Sequence, residues 1–165
     1  MALLAFLLCV YSTKYPNDIN YKILTIIESL VFSIQLYLME LNIPAFIFLL
    51  NAFRAFFSAK TKSFIIIFVF IFIHWSVGYY LYEEVKDILP LISVTVGTYA
   101  IFRLKDIPFR FAILFTNFMW MTISIMESNI GLFLSNLLGF ILQLYFIFKE
   151  KRDLKIDNNV EKIAQ

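Results

Sequence analysis

The sequence predicts an all-α integral membrane protein of seven transmembrane helices, set out as two parallel three-helix repeats joined by an inverting fourth helix. Three observations carry this. Of the 165 residues, 61% are hydrophobic and 16% charged, with mean hydropathy +0.82; soluble domains are roughly half apolar and a quarter charged. The apolar stretches are separated by short polar punctuation. Two short strings recur at an offset of 87–88 residues.

Twenty Phe and nine Tyr exceed what one small water-soluble core can hide, so lipid must cover the excess. The formal net charge of +2 suggests no polyanionic partner such as nucleic acid. A single Cys, Cys9, rules out an intramolecular disulfide and a multi-cysteine zinc site. Four Gly and four Pro leave no room for a flexible linker, so residues 1–149 read as one transmembrane domain.

The elements follow in order. Residues 2–13 are apolar but lack the basic stretch and small-residue cleavage site of a signal peptide. They are short for a span, which needs about 20 residues. Further spans read as 21–39, 44–59, 63–82, 88–104, 108–126 and 130–149. Several sit near the lower length limit, giving a thin, tightly turned bundle. Residues 150–165 read as a polar cytoplasmic tail that frays.

Charge then sets the orientation. Lys14 and Lys22 flank the first loop; Arg54, Lys60 and Lys62 surround the third; Arg103, Lys105 and Arg110 surround the fifth; Lys149, Lys151, Arg152, Lys155 and Lys162 follow the last span. On the other side Lys86 lies among Glu83, Glu84 and Asp87, with Glu40 and Glu127 in the remaining loops. The positive-inside rule places loops one, three and five and the C-terminus in the cytoplasm, and the N-terminus outside.

The recurring strings are Asp18-Ile19-Asn20-Tyr21-Lys22 with Asp106-Ile107-Pro108-Phe109-Arg110, and Met39-Glu40-Leu41-Asn42-Ile43-Pro44 with Met126-Glu127-Ser128-Asn129-Ile130-Gly131. Asp18 and Asp106 stand where helix caps are wanted, with Pro108 near a first helical position. Convergent capping chemistry is the alternative explanation, although it leaves the shared Met-Glu unaccounted for. The offset spans four helices, an even number. Repeat one (1–59) and repeat two (88–149) are therefore parallel, with 63–82 as the inverting linker helix. Parallel repeats about the membrane normal are a transporter architecture.

A three-plus-one-plus-three bundle resembles the SWEET and PQ-loop transporter superfamily. Asn117-Phe118-Met119-Trp120 resembles that group's Asn-x-x-Trp in its sixth helix. Asn136-Leu137-Leu138-Gly139, followed by Gln143-Leu144-Tyr145, is similar to its seventh. Here the spacing from Gly139 to Gln143 is shorter, and no Pro-Gln dipeptide is present. A closer resemblance, over nearly the whole chain, is to the bacterial inner-membrane YgjV family. It is carried by Asn51-Ala52-Phe53-Arg54, Lys60-Thr61-Lys62-Ser63, Leu89-Pro90, Tyr99-Ala100-Ile101-Phe102-Arg103, Arg110 and Trp120. That resemblance implies the inner membrane as location and names no activity.

Polar groups within lipid are costly and mark functional candidates. At about 1.5 Å per residue, Asn117 and Trp120 lie roughly 14 and 18 Å into the sixth span, near the midplane. Asn51 and Asn136 lie roughly 10 Å into the third and seventh spans by the same rise. The offset carries Trp120 back to Ser33 in the second span. Resemblance to SWEET proteins implies the same arrangement, so Asn51, Asn136, Trp120, Asn117 and Ser33 are the expected substrate-binding set. They would line a midplane cavity for a neutral polar, hydroxyl-rich solute. One mismatch stands: the offset sends Asn51 to Leu138, about 200° around the helix from Asn136. The competing reading is that these residues glue helices together, or that Trp120 is ordinary packing.

Three further candidates have bland readings. Arg54 reads as snorkelling to the interface. Glu28 reads as paired or snorkelling, with a proton site as the sharper alternative, and His74-Trp75 reads as a packed pair. No catalytic constellation, phosphate loop or metal-ligand spacing is visible, so neither an enzyme nor a cofactor is expected. Few ionisable groups lie within the spans, which favours facilitated diffusion over ion coupling. The lipid bilayer is the expected partner. The alternative function is a non-transporting structural or lipid- and protein-interaction protein.

Overall fold

In the computed structural model, residues 7, 10–38, 42–80, 88–126, 128 and 130–163 are described. They are helical, with short connections and no strand among them. Six helices are delimited: α1 (Ile19–Leu38), α2 (Asn42–Lys60), α3 (Phe64–Tyr80), α4 (Ile88–Arg103), α5 (Asp106–Met126) and α6 (Ile130–Ile163). They correspond to the second to seventh expected spans, with ends mostly within two residues of expectation. Most of the first expected span lies outside the described residues; Val10–Ser12 are helical, and Thr13 Oγ1 donates to the Val10 carbonyl at 2.7 Å.

Local chemistry sets the ends. Asp18 Oδ1 accepts the Tyr21 amide at 2.9 Å, the expected cap of α1. Just before it Asn17 has φ 59°, a left-handed conformation that Asn tolerates well. Thr61 Oγ1 accepts the Ser63 amide at 3.1 Å, closing the turn between α2 and α3. Asp106 (φ 50°) opens α5, and Ser128 (φ 52°) follows it.

Helix α6 departs from expectation. It continues through the polar residues 150–163 for 34 residues in all, where a fraying tail was expected. That stretch contains no Gly or Pro, so nothing in it stops a helix once the membrane part has nucleated one.

The most extensive packing joins α1 to α2 and α5 to α6; α4 joins α5 and α3, and α2 touches α3 and α4. Small residues allow close approach: Ala55 and Ala100 have no exposed surface, and Ala52 is buried. Around Ala55 a core of Ile67, Phe70, Ile101 and Phe102 forms. Ring contacts link Phe57 to Phe70 (5.9 Å) and Phe70 to Phe102 (6.3 Å).

The exterior is apolar. Ile65, Phe68 and Phe72 on α3 all point outward, and Phe72 is 73% exposed. In water such a surface would be a large aggregation liability; lipid satisfies it at no cost. By length and composition, α5 and the Phe133–Asp153 part of α6 can cross a membrane. Helices α3 and α4 are apolar but shorter, at 17 and 16 residues.

Candidate functional site

A cavity of about 220 Å³ lies in the half of the bundle opposite the Lys60–Lys62 loop. Helix α2 lines it with Phe46, Ile47 and Leu50; α3 with His74, Val77 and Gly78; α4 with Pro90, Leu91 and Val94; and α5 with Trp120. Its walls are aliphatic and aromatic, and His74 and Trp120 are the lining residues whose side chains carry polar atoms. At Gly78 the side chain of Leu91 occupies the space a Cβ would need, so glycine lets α3 and α4 close on one another there. Trp75 Nε1 donates to Thr95 Oγ1 at 2.9 Å, tying the same two helices.

Buried polar groups lie beside the deep end. His74 Nδ1 bonds the Phe70 carbonyl at 2.7 Å, so that nitrogen carries the proton of the neutral ring. Its Nε2 is buried with no partner among the described residues. One turn beyond Leu50 on α2 is Arg54; one turn beyond Val94 on α4 is Thr98. Arg54 Nη1 donates to Thr98 Oγ1 at 3.1 Å, and Thr98 Oγ1 donates to the Val94 carbonyl at 2.7 Å. A Cβ on Gly97 would lie 3.7 Å from Arg54 Nη1 and 3.8 Å from Thr116 Cγ2. The guanidinium therefore lies against α4 at Gly97 and Thr98. Arg54 Nε and Asn51 Oδ1 are also buried without a partner among the described residues.

The five expected site residues do not converge. Trp120 lines the cavity. Asn51 sits in the polar layer beside Arg54, outside the lining. Asn117 packs on α6: its Nδ2 lies 3.0 Å from where a Cβ on Gly139 would be, an interhelical contact. Ser33 on α1 and Asn136 on α6 are half-buried, each engaged in an interaction of its own. The reason is packing: α1 and α6 pack most extensively on their sequence neighbours α2 and α5, and none of their described residues lines the cavity. Arg54 and His74, read from the sequence as snorkelling and as a packed pair, are the polar groups next to the cavity. Among the described residues no cluster of three or more His, Cys, Asp or Glu is placed to hold a metal ion.

The basic end of the bundle is closed by charged and amide side chains. Arg110, 2% exposed, donates to Glu150 Oε1 at 2.7 Å, the Thr13 carbonyl at 2.8 Å and Gln143 Oε1 at 3.3 Å. Its guanidinium carbon lies 4.7 Å from the centre of the Phe146 ring. Asn17 Nδ2 donates to the carbonyls of Ala100 and Ile101, at 3.1 Å each, and of Leu104. Lys22 Nζ donates to the Ser58 carbonyl at 2.7 Å. Tyr21 and Phe109 meet edge to face at 4.9 Å. In the sequence Arg110 served to orient the chain, to mark the repeat and to carry the family resemblance, with no site role; its burial had one signal, the Gln143/Glu150 spacing of seven that puts both on one face of α6.

Comparison with curated proteins and with solved structures returns no match. A family profile described as bacterial inner membrane protein matches residues 1–153. With the apolar helical exterior and a match over nearly its whole length, the chain belongs to the Imp-YgjV family of bacterial inner membrane proteins.

Proposed function

We propose that the protein is a small-solute transporter of the inner membrane, facilitative in mechanism, with its solute site in the cavity beside Trp120. The cavity carries this reading. It is lined by α2 of the first half, α4 and α5 of the second, and the linker helix α3, so it lies where the two halves that the sequence repeat defines meet the linker. Parallel-repeat transporters bind solute at such an interface.

Contacts at the basic end support the repeat. Tyr21 and Phe109 are 88 positions apart and touch each other. Under a two-fold relation, only residues near the axis meet their own equivalents. Lys22 and Arg110 share that offset, as do their contacts Ser58 and Phe146. The two most extensive helix pairs, α1 with α2 and α5 with α6, correspond in the same way. The architecture is then two three-helix repeats about an axis near Tyr21 and Phe109, with α3 as the inverting linker. The basic end faces the cytoplasm, the N-terminus lies outside, and the cavity sits in the outer half while the cytoplasmic end is closed. The apolar lining shifts the expected solute from a hydroxyl-rich one to one with a largely apolar body.

Stopped-flow light scattering on liposomes holding the purified chain tests transport over a panel of small solutes. The expected result is faster permeation for a subset, reduced by Trp120→Ala. No acceleration over protein-free vesicles for any solute overturns the reading. Orientation is tested in a Cys9→Ala background with single cysteines at 62 and 128. Labelling by an impermeant maleimide in intact cells is expected at 128 alone, and labelling of both refutes the topology. Packing of Asn117 on Gly139 favours the alternative of a non-transporting structural or lipid- and protein-interaction protein, for which no solute accelerates and none binds the cavity.

A further inference from the structure

Arg54 and Arg110 are two arginines held within one small bundle, and their surroundings differ. Arg110 is matched by a carboxylate, two side-chain or backbone oxygens and an aromatic face. This fold therefore neutralises an arginine where the role is to hold helices together. Arg54 receives no such treatment. Its Nη1 meets a neutral hydroxyl, its Nε meets nothing among the described residues, and no carboxylate there pairs with it. A cation at membrane depth without a counter-charge is expensive and marks function.

Position gives the rest. Arg54 and Thr98 form the layer one helical turn, about 5.4 Å, beyond the lining residues Leu50 and Val94. His74, which lines the cavity, carries a buried and unpartnered Nε2, and Asn51 Oδ1, on the residue after Leu50, is another buried acceptor with no partner among the described residues. The lining of the space is thus apolar apart from His74 and Trp120, and one turn beyond Leu50 and Val94 a guanidinium donor follows.

The geometry points to a small organic acid as the ligand: a carboxylate on Arg54, and an aliphatic body against Leu50, Leu91, Val94 and Trp120. Guanidinium and carboxylate match in planar geometry, which an ammonium would not reproduce. A hydroxyl beside the carboxylate adds a donor for Asn51 Oδ1 or His74 Nε2, so the α-hydroxy acid binds more tightly than the plain one. This inference rests on the transporter reading for its physiological meaning, while its chemistry is testable apart from flux.

The experiment compares isocaproate, its α-hydroxy derivative and the neutral isostere isocaproamide on the purified full-length protein in detergent at neutral pH. Binding is read as thermal-shift dose curves. The expected order is hydroxy acid, acid, amide, with the amide at least about tenfold weaker than the acid, as loss of a charge-assisted hydrogen bond implies. Arg54→Gln removes the acid-over-amide preference, and Arg54→Lys retains part of it. The comparison on unmodified protein stands even where a variant fails to fold. Equal binding of acid and amide, or an acid preference that survives Arg54→Gln, overturns the inference. In the liposome assay, flux of neutral solutes with none for the acids overturns this inference and leaves transport standing. Arg54-dependent acid binding without flux of any solute upholds the site and overturns transport.

Discussion

Replacing Glu150 by Ala strips the carboxylate from Arg110, which it meets at 2.7 Å. Breaking a buried ion pair from one side costs about 3–5 kcal/mol, because the remaining charge is left without compensation. Two features reduce that here. The Glu150 side chain is 27% exposed, so water already competes for it. Arg110 also keeps the Thr13 carbonyl and Gln143 Oε1. The expected loss is therefore about 2 kcal/mol. For a chain of this size that is a fall in Tm of about 4–8 °C. Thermal unfolding of purified protein, followed by fluorescence of Trp75 and Trp120, measures it. Adding Arg110→Met and the double variant completes a cycle, with an expected coupling of about 1.5 kcal/mol. Arg152→Ala is the control: its pair with Asp153 spans 3.7 Å between side chains 72% and 53% exposed, and no change is expected. Coupling below about 0.5 kcal/mol, the scatter of independent sites, refutes the claim that this pair holds α5 to α6.

Two other substitutions separate backbone from side chain. Asn17→Ala loses the donor to the last carbonyls of α4 and strains a left-handed residue, a loss of about 2 kcal/mol. Asn17→Gly keeps the backbone freedom and recovers part of that loss; equal unfolding midpoints for the two variants refute the strain contribution. Gly78→Ala places a methyl against the end of Leu91. Leu91 is flexible and borders the cavity, so it swings inward: stability changes by less than about 1 kcal/mol, while affinity for any cavity ligand in a thermal-shift titration falls. A large stability loss with unchanged binding refutes that account.

Helix positions were legible because uninterrupted apolar runs are bounded by charges, and the Asp18 cap because its chemistry is local. Helix rotation was harder to read. Helices α2 and α3 are apolar on nearly every side, so periodicity does not say which face meets protein and which meets lipid. Arg54 therefore read as snorkelling, and the structure turns it towards Thr98. For Arg110 the obstacle was range: its partners lie 33, 40 and 97 residues away, and no local pattern announces them. Trp120 was placed by depth, which a helical rise supplies. Asn117, Asn136 and Ser33 had the depth but needed a facing direction as well, and the close pairing of α1 with α2 and α5 with α6 decided that. Residues 150–163 look alike in composition whether coiled or frayed, and continuation from the membrane part settled them as helix.

At 1.5 Å per residue α6 is about 51 Å long, against a hydrocarbon core of about 30 Å. Under the proposed topology roughly 20 Å of it extends past the lipid, starting near the pair of Arg110 with Glu150. A rod of that length is a lever: a tilt of about 10° at the root displaces its tip by roughly 3–4 Å. Any rocking of the helix pair in the proposed transport cycle would be magnified at that tip, where a fluorophore can register it.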